Sequence, residues 1–223
     1  MLYLIVTGGP LPNEASSVIN GAAERKDGAV VIGCDGGCDF LALRGIIPDI
    51  AVGDMDSISD NGMDFLKANN VFIERYPVEK DWTDTEIALG KTEADDDIII
   101  LAPVTGRIDH IIANIQLALK LRSSGRNILI TDGITYCYPL CGEDSVTVDT
   151  GSFTEPVAVS LVPWNFDVPV KGVTTKGLYY SLNDHDLMAG STFSFSNCPV
   201  KDAKEFTVSV RSGMLLVTVT KAL

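Results

Sequence analysis

Up to about residue 145 the chain alternates short β-branched apolar runs with segments whose apolar residues recur at helical spacing; beyond Thr147 the helical segments stop. The first regime predicts strands over 2–6, 29–32, 50–52, 71–75, 98–101 and 127–130. Its clearest helix puts Ile111, Ile112, Ile115, Ala118 and Leu119 on one stripe and ends at Gly125. Strands alternating with helices make βαβ units and a mainly parallel sheet covered on both faces. The second regime predicts strands over 146–148, 157–162, 168–173, 179–182, 193–195, 206–210 and 214–219, separated by Gly, Pro, Asn and Asp. The last two, joined by Arg211-Ser-Gly213, read as a hairpin. The expected class is α/β, with a mainly parallel, Rossmann-like sheet domain over 1–143 followed by an all-β sandwich domain over 144–223.

Charge divides the chain at the same place. Residues 1–145 hold 23 acids and 11 bases, the remainder 7 acids and 6 bases. A net charge of −13 with no clustered basic face excludes electrostatic binding of nucleic acid. No stretch approaches the roughly 20 apolar residues that a membrane span requires, and the 2–6 run is too short for a signal peptide core, so the cytoplasm is the expected compartment. The five Cys are an odd number, contain no Cys-x-x-Cys and read as reduced thiols rather than a disulfide framework or a zinc site.

In an α/β sheet ligands bind beyond the carboxyl ends of the strands, and five polar segments fall there. They are Thr7-Gly-Gly-Pro10, Cys34-Asp-Gly-Gly37, Gly53-Asp-Met-Asp-Ser57, Lys80-Asp-Trp-Thr-Asp84 and Thr105-Gly-Arg-Ile-Asp-His110. Asp54 and Asp56 leave one strand end together, either as an Asp-rich turn or as ligands of a hard divalent cation. Thr83 followed by Glu86 has the form of a capping box, which puts Asp84 in a first helical turn; Asp81 precedes the cap and needs another reason. Lys80 is either a solvated lysine or a point charge for phosphate. Arg107 suits an oligophosphate, Asp109 either orients it or joins a metal site, and His110 at a helix start is either a packing residue or a base. The glycine pairs at 8–9 and 36–37 allow close backbone approach to a ligand or simply tight turns.

Cys34-Asp-Gly-Gly37, Pro48-Asp-Ile-Ala-Val-Gly-Asp-Met-Asp-Ser-Ile58, Lys80-Asp-Trp-Thr-Asp-Thr-Glu-Ile-Ala-Leu89, Gly106-Arg-Ile-Asp-His110, Gly172-Val-Thr-Thr-Lys-Gly-Leu-Tyr-Tyr-Ser-Leu182 and Ser196-Asn197 occur in that order over nearly the whole chain. Together they resemble the bacterial form of the thiamine pyrophosphokinase family. The resemblance implies Mg²⁺-dependent transfer of pyrophosphate from ATP to the hydroxyethyl oxygen of thiamine, in a homodimer. It implies Asp54, Asp56, Asp81 and Asp84 as metal ligands or phosphate-positioning residues, with Arg107 and Asp109 completing the catalytic group. It further implies Asp35, Gly36, Gly37, Lys80, Thr83, Arg107 and His110 at the nucleotide, and Tyr180, Ser196 and Asn197 at thiamine. The segment Ala102-Pro-Val-Thr-Gly106 departs from the family, whose members carry a Gly-rich run there. Two other readings compete: a different Mg²⁺-dependent phosphotransferase or phosphohydrolase using Asp54 and Asp56, and a non-catalytic nucleotide-binding module.

Overall fold

The computed structural model describes residues 1–24, 28–153 and 155–221. Two compact units emerge: Met1–Leu117 with Arg126–Gly133, and Ala118–Gly125 with Ile134–Leu223.

The first unit runs β1 (Leu2–Val6), α1 (Ala15–Ala23), β2 (Ala29–Cys34), α2 (Gly37–Ala42), β3 (Ile50–Gly53), α3 (Asp60–Ala68), β4 (Phe72–Arg75), α4 (Asp84–Leu89), β5 (Asp97–Leu101), the start of α5 (Ile108–Ser123), and β6 (Asn127–Thr131). Its strands are all parallel, in the order β4-β3-β2-β1-β5-β6. Every strand expected in this part is present, with no end displaced by more than two residues. Leu2, Leu4 and Val6 pack on Ala15, Ile19 and Ala22 of α1 and on Phe40 and Leu41 of α2. Ile5, on the opposite face of β1, is also fully buried, as expected for a parallel sheet covered on both sides. From β1 the chain moves outward through β2, β3 and β4, then returns to the other side of β1 as β5. That reversal makes the carboxyl ends of β1 and β5 a topological switch point, where adjacent loops diverge and leave a crevice.

The second unit holds β7 (Thr135–Cys141), β8 (Asp144–Asp149), β9 (Val157–Pro163), β10 (Val170–Lys176), β11 (His185–Leu187), β12 (Glu205–Val210) and β13 (Met214–Lys221). Strands β7, β13 and β9 pair antiparallel in that order, and β11, β10, β12 and β8 form a second antiparallel sheet. Leu215, Val217 and Val219 of one sheet share a core with Phe206, Val208 and Val210 of the other, which is a sandwich.

Three strand expectations are corrected. Strands β12 and β13 are not a hairpin: β12 pairs with β8 and β10, β13 with β7 and β9, and Gly213 at φ 103° turns the chain from one sheet to the other. Residues 179–182 form no strand, because side chains take their amides: Asn197 Oδ1 accepts from Tyr180 N (3.0 Å) and Thr175 Oγ1 from Leu182 N (2.8 Å). Residues 193–195 form a turn in which Phe195 N donates to Thr192 O (3.1 Å). Strands β7 and β11 were not anticipated.

Within the second unit Arg122 grips Asp144 with two hydrogen bonds, Nε to Oδ2 (2.7 Å) and Nη2 to Oδ1 (2.5 Å), and the amides of Cys141 and Ser145 also donate to that carboxylate. Burial alone raises the Asp144 carboxyl, but Arg122 and the two amides outweigh it and hold it below the usual range. A carboxyl depressed in the folded state adds stability above its unfolded pKa of about 3.9 and loses it as the pH falls through the folded value. Asp144→Asn is therefore expected to cost about 2 kcal/mol in denaturant unfolding at pH 7, a cost that narrows only below about pH 4. An unchanged midpoint at pH 7 would show the pair to be idle.

All five thiols are free, with Cys34, Cys38 and Cys137 buried, Cys141 half-buried and Cys198 exposed. No helix among the described residues is long and apolar enough to cross a membrane.

Candidate active site

A cleft of about 420 Å³ opens at the switch point, bounded by the loops after β1 and β5 and by the first turns of α4 and α5. Thr7, Gly8, Gly9 and Pro10 form one wall, Pro103, Thr105, Gly106 and Arg107 another, and Asp35, Gly36, Ser57, Thr83 and Asp84 the acidic end. The Gly-poor 102–106 loop still reaches the cleft, where the Pro103 ring fits against the bare backbone of Gly9: a Cβ there would lie 3.0 Å from Pro103 Cγ.

The acidic end is built by backbone geometry that L residues resist. Asp35 follows β2 at φ 46°, and Met55 lies between Asp54 and Asp56 at φ 65°. Such left-handed residues cost of order 1 kcal/mol or more and persist where the surroundings over-determine them. Here Met55 is buried with Cys38, Ala51 and Leu66, the Asp54 carboxylate accepts from Asp56 N (3.1 Å), and the Asp35 carboxylate accepts from Ser57 N (3.3 Å). Carboxylate oxygens of Asp35, Asp54 and Asp56 consequently lie within 4.8 Å of one another. Gly53 provides the room, since a Cβ at that position would meet Asp35 Cβ at 3.1 Å and Asp84 Cγ at 3.4 Å.

Lys80 is folded into this group. Its Nζ is 3.0 Å from Asp54 Oδ2 and 3.3 Å from Asp84 Oδ1, and it donates to Pro77 O (3.3 Å). Lys80 hydrogen-bonding holds the Asp54 carboxyl below the usual range, whereas burial raises those of Asp35 and Asp84. Asp84 Oδ1 is buried and accepts no hydrogen bond, its contact with Lys80 having the distance of an ion pair but not the angles of a hydrogen bond. Thr83 caps α4 as expected, accepting from Glu86 N (3.2 Å), so Asp84 opens that helix. Three hard oxygen donors converging beside a buried carboxylate oxygen with no donor fit a divalent cation such as Mg²⁺.

Not every anticipated residue is gathered here. Asp81 is exposed and makes no hydrogen bond or ion pair among the described residues. Arg107 and Asp109 form an exposed bidentate pair, Nη2 to Oδ2 (2.5 Å) and Nε to Oδ1 (3.2 Å), so Asp109 orients the guanidinium. His110 lines the cleft from α5. Gly36 lines it too, but Gly37 serves packing: α2 crosses the end of β1 so closely that a Cβ on Gly37 would lie 2.2 Å from Val6 O. Sequence reasoning put Asp35 at the nucleotide without its place among the carboxylates, placed the Thr7 segment at a ligand-binding strand end without giving Thr7 a role, and missed Asn114. Asn114 had a signal, a polar residue one turn after His110 in an apolar helix.

In the second unit Tyr179 and Tyr180 are both exposed, their rings edge to face at 4.9 Å, rather than on opposite faces of a strand. Asn197 is buried and spent on the backbone: Oδ1 accepts from Tyr180 N (3.0 Å) and Cys198 N (2.8 Å), and Nδ2 donates to Tyr180 O (2.8 Å). Its side chain thus positions Tyr180. Ser196, at φ 56°, donates its amide to Ser160 Oγ (3.1 Å).

Two family models match the chain, "Thiamin pyrophosphokinase, catalytic domain" over residues 24–130 and "Thiamin pyrophosphokinase, vitamin B1 binding domain" over 147–215. A thiamine pyrophosphokinase of Bacillus subtilis (strain 168) is 33% identical over 170 residues, 74% of this chain and 76% of the relative. The crystal structure of thiamine pyrophosphokinase from Bacillus subtilis superposes with a TM-score of 0.82 at 27% identity, covering all of both chains. That of thiamin pyrophosphokinase from Candida albicans shares the fold, with a TM-score of 0.77 at 16% identity over 99% of this chain and 90% of that one. With both of its parts matched in order and its fold shared throughout, the chain belongs to the thiamine pyrophosphokinase family and is an enzyme of that kind.

Proposed function

We propose that the enzyme uses ATP as donor and Mg²⁺ as cofactor, moving an intact pyrophosphoryl group to thiamine and releasing AMP. The observation that carries this reading is the convergence of Asp35, Asp54 and Asp56, with Lys80 and Asp84 beside them, at the acidic end of the switch-point cleft. The hydroxyethyl oxygen of thiamine attacks the β-phosphorus of ATP, the bond from that phosphorus to the α,β-bridging oxygen breaks, and AMP leaves with the oxygen. Mg²⁺ held by Asp35, Asp54 and Asp56, with Asp84 adjacent, would neutralise charge on the phosphates.

The chain's own groups do the rest. Arg107, kept in orientation by Asp109, donates to phosphate oxygens, and Lys80 offers a second positive charge from the carboxylate side. The proton lost by the alcohol goes to a carboxylate of the 80–84 loop, namely Asp84, whose carboxyl is raised by burial. In the second unit the exposed face of Tyr180, held by Asn197, suits the cationic aromatic thiamine, with Ser196 beside it. A homodimer belongs to this reading and is supported by the exposed Phe166, Met188, Phe193 and Phe195 of that unit. A cytoplasmic location is supported by the five free thiols.

The test is to incubate the enzyme with MgATP and thiamine and identify the nucleotide product. AMP and thiamine diphosphate in equal amounts are expected. ADP or free phosphate instead would replace this reading by the phosphotransferase or phosphohydrolase alternative.

A further inference from the structure

The lining of the cleft holds two polar side chains that the mechanism leaves unused, Thr7 at the end of β1 and Asn114 on α5. Each has only 8% of its surface exposed. Among the described residues the Asn114 carboxamide makes no hydrogen bond, and its polar atoms are not sealed from solvent, so they are open to the cleft they line. Asn114 lies four residues after His110, on the same face of the helix, and both line the cleft. An amide that lines a ligand-sized cavity without a protein partner is paired by what enters the cavity.

We propose that Asn114 is the residue that recognises the nucleobase of the donor, its Oδ1 accepting from the exocyclic amino group of adenine. This rests on the ATP reading above. A phosphate presents acceptors alone and leaves the carbonyl half of a carboxamide unused, whereas the edge of adenine offers a donor beside an acceptor, the pattern an Asn side chain matches. On the reading above Lys80 and Arg107 serve the phosphates, which leaves the uncharged carboxamide of Asn114 for the base. Sites built to hydrogen-bond a substrate group discriminate against analogues that lack it, because the buried partner is then left unpaired.

Calorimetric binding to the intact protein with Mg²⁺, in the absence of thiamine, tests this with three probes: ATP, purine riboside 5′-triphosphate, which lacks the amino group, and inorganic tripolyphosphate, which lacks the base. The wild type is expected to bind ATP about tenfold more tightly than the deaminated analogue. Asn114→Leu and the smaller Asn114→Ala should bind both nucleotides equally weakly while keeping the wild-type affinity for tripolyphosphate. Two variants guard against a folding defect, and retained tripolyphosphate binding shows that the cleft is intact. Loss of tripolyphosphate affinity in step with ATP would place Asn114 at the phosphates and overturn the proposal, as would an undiminished preference for ATP in both variants. If the wild type binds tripolyphosphate but gains nothing from either nucleoside, the ATP reading itself falls and this one with it.

Discussion

Asp54→Asn is expected to lower turnover by at least about 10³-fold while the protein stays folded. Asp54 is the carboxylate to which the most is tied: its oxygens share the 4.8 Å group with Asp35 and Asp56, it is 3.0 Å from Lys80 Nζ, and it accepts the Asp56 amide. Asparagine keeps the shape and the acceptor for that amide, so the left-handed turn at Met55 survives. What it removes is one negative charge where the proposed cation would be held and where Lys80 is paired. Folding should barely change, because losing the Lys80 pair is offset by relief of repulsion from Asp35, Asp56 and Asp84. The measurements are turnover with saturating ATP and thiamine, and thermal unfolding of the same preparation. Activity within tenfold of wild type would remove Asp54 from the site, and collapse of the fold would make it structural.

The second large effect concerns the backbone. Gly37→Ala would place a Cβ 2.2 Å from Val6 O and 2.8 Å from Val6 C, atoms of the central strand that have nowhere to go. Helix α2 would have to lift off β1, opening the contact of Phe40 and Leu41 with Leu4 and Val6. A loss of about 3 kcal/mol or more is expected in urea unfolding. The neighbouring Gly36→Ala is the control, since its Cβ would meet Ser57 O at 3.4 Å, an ordinary contact, and should leave stability close to wild type. If the two substitutions cost the same, the close crossing of α2 over β1 is not what keeps residue 37 a glycine.

The α/β half was legible because its signals are local and redundant. A parallel strand buried on both faces is a continuous apolar run, and Thr83 announces the start of α4 within four residues. The sandwich was legible only in part. Alternation in β12 and β13 shows which side chains point inward, yet the pattern is the same whether two successive strands pair or pass to opposite sheets; the turn at Gly213, pressed to 2.8 Å from Val170 Cα by any added Cβ, decides it. The run 179–182 has strand composition, but Asn197 and Thr175 capture its amides from distant points in the chain, and no local pattern reveals that. The site follows the same division. Asp54, Asp56 and Asp84 announce themselves by motif, whereas the place of Asp35 among them depends on β2 and β3 being neighbours, and the cleft position of Asn114 on the path of α5.

The unequal anchoring of the two charged loops has a consequence for the energetics of loading. Around Met55 and Asp35 the unfavourable conformations are absorbed once, when the chain folds, and the carboxylates wait in place with no ordering left to do. Arg107 is tethered only to its near neighbour Asp109 and remains largely in water. On the proposed reading the entropy of assembling the loaded site therefore falls on the arginine side, at about 0.5–1.5 kcal/mol for one such side chain, with the acidic half as the template and the basic half as the closing element.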